Sequence, residues 1–196
     1  MELFTREEIR DIIISVVAAT IVFSYVIVGP TNILTTLPAF LFIVIISFLF
    51  HELAHKFVAR KFGATAFFKM WPTGILLGLI FMFARIIILM PGAVVVYPYR
   101  FARWRGKHIN LTVDEIGLIS VSGPLVNMFF AAFFSFFSGW AFTLLTYINA
   151  ILAFFNLLPI PPLDGSKVFM WKSWVWVMLI IISGFMIFPY LSAYFG

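Results

Sequence analysis

Cysteine is absent from this sequence, and charged side chains are scarce. Without cysteine the chain has no disulfide and no thiolate metal ligand, so any zinc site must use histidine and carboxylate groups. Charged residues make up 11% and apolar residues 63% of the 196 positions, whereas a soluble domain has about 25% charged and about 45–50% apolar residues. This composition excludes an ordinary soluble protein. It predicts an integral membrane protein with about five or six spans of roughly 20 residues each.

Basic residues are absent from two of the predicted connecting loops. The net charge is +5, but the lysines and arginines lie at the edges of apolar runs, so membrane orientation explains them and no nucleic-acid partner is predicted. Loops 29–37 and 138–141 carry none, whereas twelve of the thirteen basic residues fall in four groups, at 6–10, 56–69, 100–107 and 167–172. The positive-inside rule predicts a multi-pass cell-membrane protein with these groups and its N-terminus in the cytoplasm.

The apolar runs predict an all-α polytopic fold with a small amount of β-structure. Clear spans begin near residues 12, 38, 116, 142 and 174. Ile75 to Met90 is also apolar, but a sixth crossing there would put two of the basic groups on opposite sides. We therefore expect 75–97 to enter the membrane from the cytoplasmic side and return, with a sixth true span as the alternative. Runs 86–90 and 93–97, around Pro91-Gly92, predict a short membrane-associated β hairpin between the second and third clear spans.

The pattern His51-Glu52-Leu53-Ala54-His55 follows an apolar run, 38–50. On a helix, positions i and i+4 lie on one face, so both imidazoles can bind the same ion. Glu52 can reach a water on that ion without binding the ion itself, which is the arrangement that a zinc hydrolase needs. The alternative is a pair of packed core histidines. With only three histidines in the chain a chance match is rare, and ionisable groups in an apolar span are costly and by default functional.

A catalytic zinc site needs a third protein ligand. His108 lies in a basic, solvated stretch and is a poor candidate, and Asp114 and Glu115 flank a span at the interface, where acids are ordinary. Asp164 follows a proline-rich break that must end the preceding helix, and no cation within the membrane is obvious beside it. The alternative role for Asp164 is an N-cap for a helix starting at Gly165, and both roles could hold.

Three stretches of the chain together resemble the site-2 protease family of intramembrane zinc metalloproteases. They are His51-Glu52-Leu53-Ala54-His55, Gly123-Pro124-Leu125-Val126-Asn127, and Asn156 to Gly165 ending in Leu163-Asp164-Gly165, in the family's order within 38–165. The resemblance implies that His51, His55 and Asp164 bind one Zn²⁺ and that Glu52 is the catalytic acid/base. It also implies hydrolysis of peptide bonds within a substrate's transmembrane helix near the cytoplasmic face, that is, regulated intramembrane proteolysis. We expect a single membrane protease domain, 1–196, with no soluble accessory domain.

Two asparagines are candidates for holding the substrate. Asn127 and Asn156 could donate to the oxyanion or to the substrate backbone, and the alternative for both is hydrogen bonding between helices. The expected partners are the lipid bilayer and a single-span membrane protein. Two other functions stay open. One is a different membrane zinc protease whose third ligand is Glu115, and the other is a metal or solute transporter that uses the two histidines as a transit site.

Overall fold

The fold is mostly helical, with two small antiparallel sheets. A computed structural model describes residues 4–87, 90–97, 99–101, 106–108 and 110–195, and the side chains within 4–87, 90–97 and 110–190. Several predictions fall on residues outside these ranges: residues 102–105 of the basic segment 100–107, the side chains of 100–108 including His108, and two residues of the run 86–90. The described elements confirm an all-α polytopic fold with a short β hairpin.

The chain begins with two long helices. Helix α1 (Arg6–Val28) starts where the Thr5 hydroxyl accepts the Glu8 N–H, and it ends at Gly29, whose φ of 85° suits glycine. The second helix is built of segments that follow without a break after a short 3₁₀ turn: α2 (Ile33–Val44), a π-helical turn (Ile45–Leu49) and α3 (Phe50–Lys61). This helix begins before the predicted residue 38, because Pro38 lies within α2 and not at its first position.

The predicted hairpin exists, but its first strand was assigned to the wrong residues. Strand β1 (Thr65–Met70) pairs antiparallel with β2 (Gly92–Tyr97), in a register that places Thr65 opposite Tyr97 and Met70 opposite Gly92. The run 93–97 is confirmed as a strand. Its partner is β1 and not the run 86–90, because Pro91-Gly92 leads into β2 instead of turning a tight hairpin. A second small sheet joins β3 (Tyr99–Phe101) to β4 (Gly106–His108).

The segment between β1 and β2 runs out along α1 and comes back. It contains helix α4 (Pro72–Phe81) and a 3₁₀ turn (Met82–Ala84), and α4 is about 15 Å long at 1.5 Å per residue. Three contacts with α1 mark the path: Met70 N to Asp11 Oδ2 at 3.2 Å, the Phe83 ring to Tyr25 at 5.5 Å, and Ser15 Oγ to the Pro91 carbonyl at 3.0 Å. The chain therefore returns to the end of α1 that it left, as a re-entrant segment requires.

The C-terminal half adds four helices. Helix α5 (Val113–Phe134) opens with a capping box between Thr112 and Glu115 and packs against α3, α6 (Trp140–Asn156) and α7 (Asp164–Trp171). Helix α8 (Ser173–Phe195) ends the described chain. Within the described residues, four helical stretches are long and apolar enough to span a membrane: 6–28, 30–61, 113–134 and 173–190. With the 17-residue α6 they match the five predicted spans.

A buried ion pair ties α1 to α3. Glu8 and Lys56 are each only 2% exposed, and the lysine ammonium donates to Glu8 Oε1. The same oxygen accepts the Phe68 N–H at 2.9 Å, so one carboxylate joins α1, α3 and β1. The polar start of the chain from Arg6 onward belongs to α1, which turns Glu8 and Asp11 toward the protein interior.

Labelling of single cysteines tests the re-entrant path, because the chain has no cysteine of its own. Exposed positions Lys61 and Asn110 flank the segment, and exposed Thr31 lies in the loop after α1. We expect Lys61→Cys and Asn110→Cys to react with a membrane-impermeant thiol reagent from the cytoplasmic side, and Thr31→Cys to react from the opposite side. Labelling of Lys61→Cys and Asn110→Cys from opposite sides would show that 75–90 crosses the membrane.

Candidate metal centre

Two histidines of α3 and the first residue of α7 meet in the interior. The Nε2 atoms of His51 and His55 lie 3.0 Å apart, and Asp164 Oδ2 lies 3.4 Å from the first and 3.0 Å from the second. Both histidines are buried, and the Asp164 side chain is 14% exposed. Two imidazole nitrogens and a carboxylate oxygen around one ion, at about 2.0–2.2 Å from it, fit zinc with a fourth position left open.

The hydrogen bonds on the far side of each imidazole decide which nitrogen faces the site. His51 Nδ1 lies 2.6 Å from Asn127 Oδ1, and His55 Nδ1 lies 2.7 Å from the Ile119 carbonyl. Both partners are acceptors, so both Nδ1 atoms carry the proton and both Nε2 atoms present a lone pair. With Asp164 Oδ2 beside them, three acceptors converge without a proton to share, and a cation is the group that makes this arrangement favourable.

Gly123 in α5 leaves the space that the two imidazoles occupy. A Cβ built on Gly123 would lie 2.3 Å from His55 Nε2 and 2.7 Å from His51 Nε2. Those distances are far below an ordinary van der Waals contact, so any side chain at this position would push against the ligand atoms themselves. The metal-binding group fits only because α5 carries glycine at this level.

A buried network of hydrogen bonds between side-chain amides supports the His51 ring. Asn127 donates through Nδ2 to the Ser47 carbonyl at 2.7 Å and to Asn149 Oδ1 at 2.8 Å, and Asn149 in turn donates to Ser47 Oγ at 2.8 Å. Ser47 lies in the π-helical turn 45–49, and turns of this kind are frequent at functional sites. Sequence reasoning missed Ser47 and Asn149, although a polar residue inside an apolar span is a usable signal.

Asp164 reaches the histidines because a tight backbone contact allows it. Leu163 is the N-cap of α7 and Asp164 is the first residue of the helix, so the alternative that Asp164 is the N-cap is wrong. A Cβ on Gly165 would lie 2.1 Å from the Leu157 carbonyl oxygen, so glycine lets α7 approach the end of α6. Lys167 Nζ lies 3.7 Å from Asp164 Oδ1, the carboxylate oxygen that faces away from the histidines.

Glu52 lies beside the ligands but is held by the β-sheet. Its side chain is buried, and Oε2 accepts the Val94 N–H of β2 at 2.9 Å. The metal-binding group itself contains only the two histidines and Asp164 among the described residues. Glu52 and all three ligands line one cavity of about 1100 Å³, together with β2 and parts of α5, α6 and α7. The cavity supplies the room that a substrate and water need.

The other three predicted site residues, Asn156, Asn127 and Glu115, differ in how they lie relative to the cavity and the metal-binding group. Asn156 lines the cavity and donates to the Leu152 carbonyl at 2.9 Å, so a role in substrate binding stays a prediction. Asn127 is fully buried, and both of its N–H groups are already donated within the protein, which matches the interhelical alternative. Glu115 accepts from Thr112 at the start of α5 and is not part of the metal-binding group, so the alternative third ligand is not supported.

Comparisons with known proteins agree with this geometry. The profile described as Peptidase family M50 matches residues 137–178. A protein of Methanocaldococcus jannaschii named "Putative zinc metalloprotease" is 36% identical over 197 residues, which is 94% of this chain and 95% of the relative. A protein of Bacillus subtilis that is also named "Putative zinc metalloprotease" is 31% identical over 159 residues, 69% of each chain. No solved structure matches the chain.

Replacing Gly123 should disturb the ligands directly. We expect Gly123→Ala to weaken zinc affinity by at least about 100-fold, because the new methyl group collides with both Nε2 atoms. Gly184→Ala is the matched control, since the nearest atom to its Cβ would be 3.7 Å away. Zinc content and competition with a chelator measure both variants. Equal zinc affinity in the two would contradict the assignment of the site.

Asn127 should matter for zinc and Asn156 should not. Asn127→Ala removes the acceptor that fixes the His51 ring, and outer partners of this kind are typically worth about 10–100-fold in metal affinity. Asn156→Ala removes a cavity side chain that contacts neither histidine, so zinc affinity should stay within about twofold of wild type. The same chelator titration compares the two. A wild-type affinity in Asn127→Ala would show that the ring needs no such support.

Proposed function

Since this chain belongs to peptidase family M50, the family of the site-2 proteases, and is a membrane zinc metalloprotease, we propose that it cleaves peptide bonds inside the transmembrane segments of other proteins. One observation carries the proposal: a group of two buried histidines, His51 and His55, and the largely buried Asp164 lies beside Glu52 in a single cavity. Charged and metal-binding groups are costly in an apolar protein and are kept where they perform chemistry. The reaction is the intramembrane hydrolysis on which regulated proteolysis depends.

We assign a separate role to each residue of the site. His51, His55 and Asp164 hold one zinc ion through Nε2, Nε2 and Oδ2, the three atoms that converge. A bound zinc ion supplies Lewis-acid chemistry, which activates water and polarises the scissile carbonyl. Glu52 is the acid/base: it takes the proton of the attacking water and then gives it to the leaving amine. Glu52 Oε2 accepts from the Val94 N–H, so Oε1 is the oxygen that this hydrogen bond leaves free.

The depth of the site supports cleavage near the cytoplasmic face. The basic residues Arg60 and Lys61 lie about one and a half turns after His55 on the same helix. At 1.5 Å per residue the metal-binding group is roughly 10 Å inside the boundary that these charges mark. The N-terminus and all four basic groups are assigned to the cytoplasm. A single-span helix that enters the cavity would therefore be cut close to its cytoplasmic end.

Strand β2 is the surface that we assign to the substrate backbone. A transmembrane helix must unwind before hydrolysis, and its freed amides then need partners inside the protein. Val94 and Val96 lie two residues apart in β2. Their backbone N–H and C=O groups point away from β1, because the hydrogen-bonding direction alternates along a strand. Both residues line the cavity. An extended substrate can add to this edge as a further strand, with Asn156 as another donor.

The two competing functions fit the described site less well. A protease with Glu115 as its third ligand would need that carboxylate near the histidines, and it caps α5 instead. A transporter would use the histidines as a transit site, but relatives across most of the chain bear the names of zinc metalloproteases. Asp164 and Glu52 both fit hydrolysis, whereas transit of a metal does not call for an acid/base.

The assignment of Glu52 predicts a separation of binding from turnover. We expect Glu52→Gln to retain one zinc per chain, since Glu52 is not among the three ligands, and to cleave a single-span substrate in detergent at least about 1000-fold more slowly. Zinc stoichiometry and a gel-based cleavage assay give the two readouts. Glu7→Gln is the control, because Glu7 is exposed on α1. Normal turnover in Glu52→Gln would remove Glu52 from the mechanism.

A further inference from the structure

The backbone N–H of Val94 has two competing uses. It donates to Glu52 Oε2 at 2.9 Å, so it already binds the group assigned as acid/base. It also lies on the β2 edge to which an extended substrate would add. One N–H cannot make a full hydrogen bond to a carboxylate and to a substrate carbonyl at once. Binding of a substrate carbonyl to the Val94 N–H would therefore break the hydrogen bond that holds Glu52.

The sheet cannot move aside to avoid this competition, because its other edge is pinned. Along β1 the outward N–H groups of Phe68 and Met70 donate to Glu8 at 2.9 Å and to Asp11 at 3.2 Å. Both carboxylates are buried, and Glu8 is also paired with Lys56 of α3. Carboxylates thus take the place of neighbouring strands on both sides of the sheet: two from α1 at β1, and Glu52 at β2.

We propose that Val94 is a positioning residue for Glu52 and the docking point of the substrate backbone. In the empty enzyme, Val94 holds the Glu52 carboxylate against β2. When a substrate carbonyl takes the Val94 N–H, the carboxylate is released and is free to take the proton of the attacking water. Cleavage is therefore coupled to the seating of an extended backbone. This inference rests on the proposed function and deepens it, since it names the backbone donor that binds the substrate carbonyl.

The register of β2 makes the proposal specific to one position. The N–H groups of Val94 and Val96 point the same way, because they are two residues apart on one strand. Only the first contacts Glu52. Neither N–H belongs to the ladder with β1, so proline at either position removes an outward donor and leaves the β1–β2 hydrogen bonds in place. Val94→Pro and Val96→Pro are thus a matched pair.

Kinetics of the matched pair separate positioning from binding. Val96→Pro removes a donor that the substrate does not have to take from Glu52, so KM for a single-span substrate should rise by about threefold to tenfold. Val94→Pro removes a donor that the substrate can use only by displacing Glu52, so KM should stay within about twofold of wild type. A KM that rises as much in Val94→Pro as in Val96→Pro would overturn the proposal. Zinc content of both variants confirms that the metal site is intact.

Hydrogen exchange tests the same contact in variants that keep the strand sequence. In zinc-loaded Glu52→Ala the Val94 amide should exchange about tenfold faster than in wild type, while the Phe68 amide, held by Glu8, should not change. Adding a single-span peptide should slow the Val94 amide again, because the peptide carbonyl replaces Glu52. An unchanged Val94 amide in Glu52→Ala, or no effect of the peptide, would each overturn the proposal.

The two experiments also distinguish this inference from the function on which it rests. If wild-type protein binds zinc but cleaves no membrane-spanning peptide, the proposed function fails. The hydrogen-exchange arm would then still report whether Val94 is held by Glu52. If wild-type protein cleaves the peptide and Val94→Pro raises KM as much as Val96→Pro does, the proposed function stands and the role of Val94 fails.

Discussion

Three electron-pair acceptors held within 3.4 Å of one another are the constraint on which the rest of the structure depends. In an apolar protein such a cluster is unfavourable without a positive charge among the acceptors. The surrounding features all serve that cluster. Gly123 clears the space, Asn127 and the Ile119 carbonyl turn the two imidazoles, and the glycine after Asp164 lets α7 approach. Each is a local departure from simple apolar packing, and each has a partner on another helix.

Sequence patterns found the parts of the site that are set by short spacing or by isolation in an apolar run. His51, Glu52 and His55 follow from helical spacing, and Asp164 follows from an acid standing alone in an apolar region. Strand β1 was missed because six residues after a helix end carry no clear period, and its partner begins beyond α4. The Glu8–Lys56 pair and the Ser47–Asn149 bond join residues 48 and 102 positions apart, and no local pattern encodes such distances.

The α1 carboxylates have a structural task that their sequence position hides. Near a predicted membrane edge, Glu8 and Asp11 look like ordinary interfacial acids. In the folded chain they are buried and accept backbone N–H groups from β1. A buried ion pair such as Glu8–Lys56 contributes little net stability against apolar replacements, but removing one partner is costly. The pair joins α1 and α3 to the sheet, and loss of either partner would leave an unpaired charge in the interior.

The wide separation of the ligands along the chain has a consequence for biogenesis. Two ligands are translated early, on the second long helix, and the carboxylate ligand arrives only after two further spans have been made. A nascent chain that ends before α7 carries only the histidine pair, one ligand short of the three protein ligands of a catalytic zinc site. The full set of candidate ligands exists only once α7 has been made, and an ion held by all three groups would then join α3 to α7.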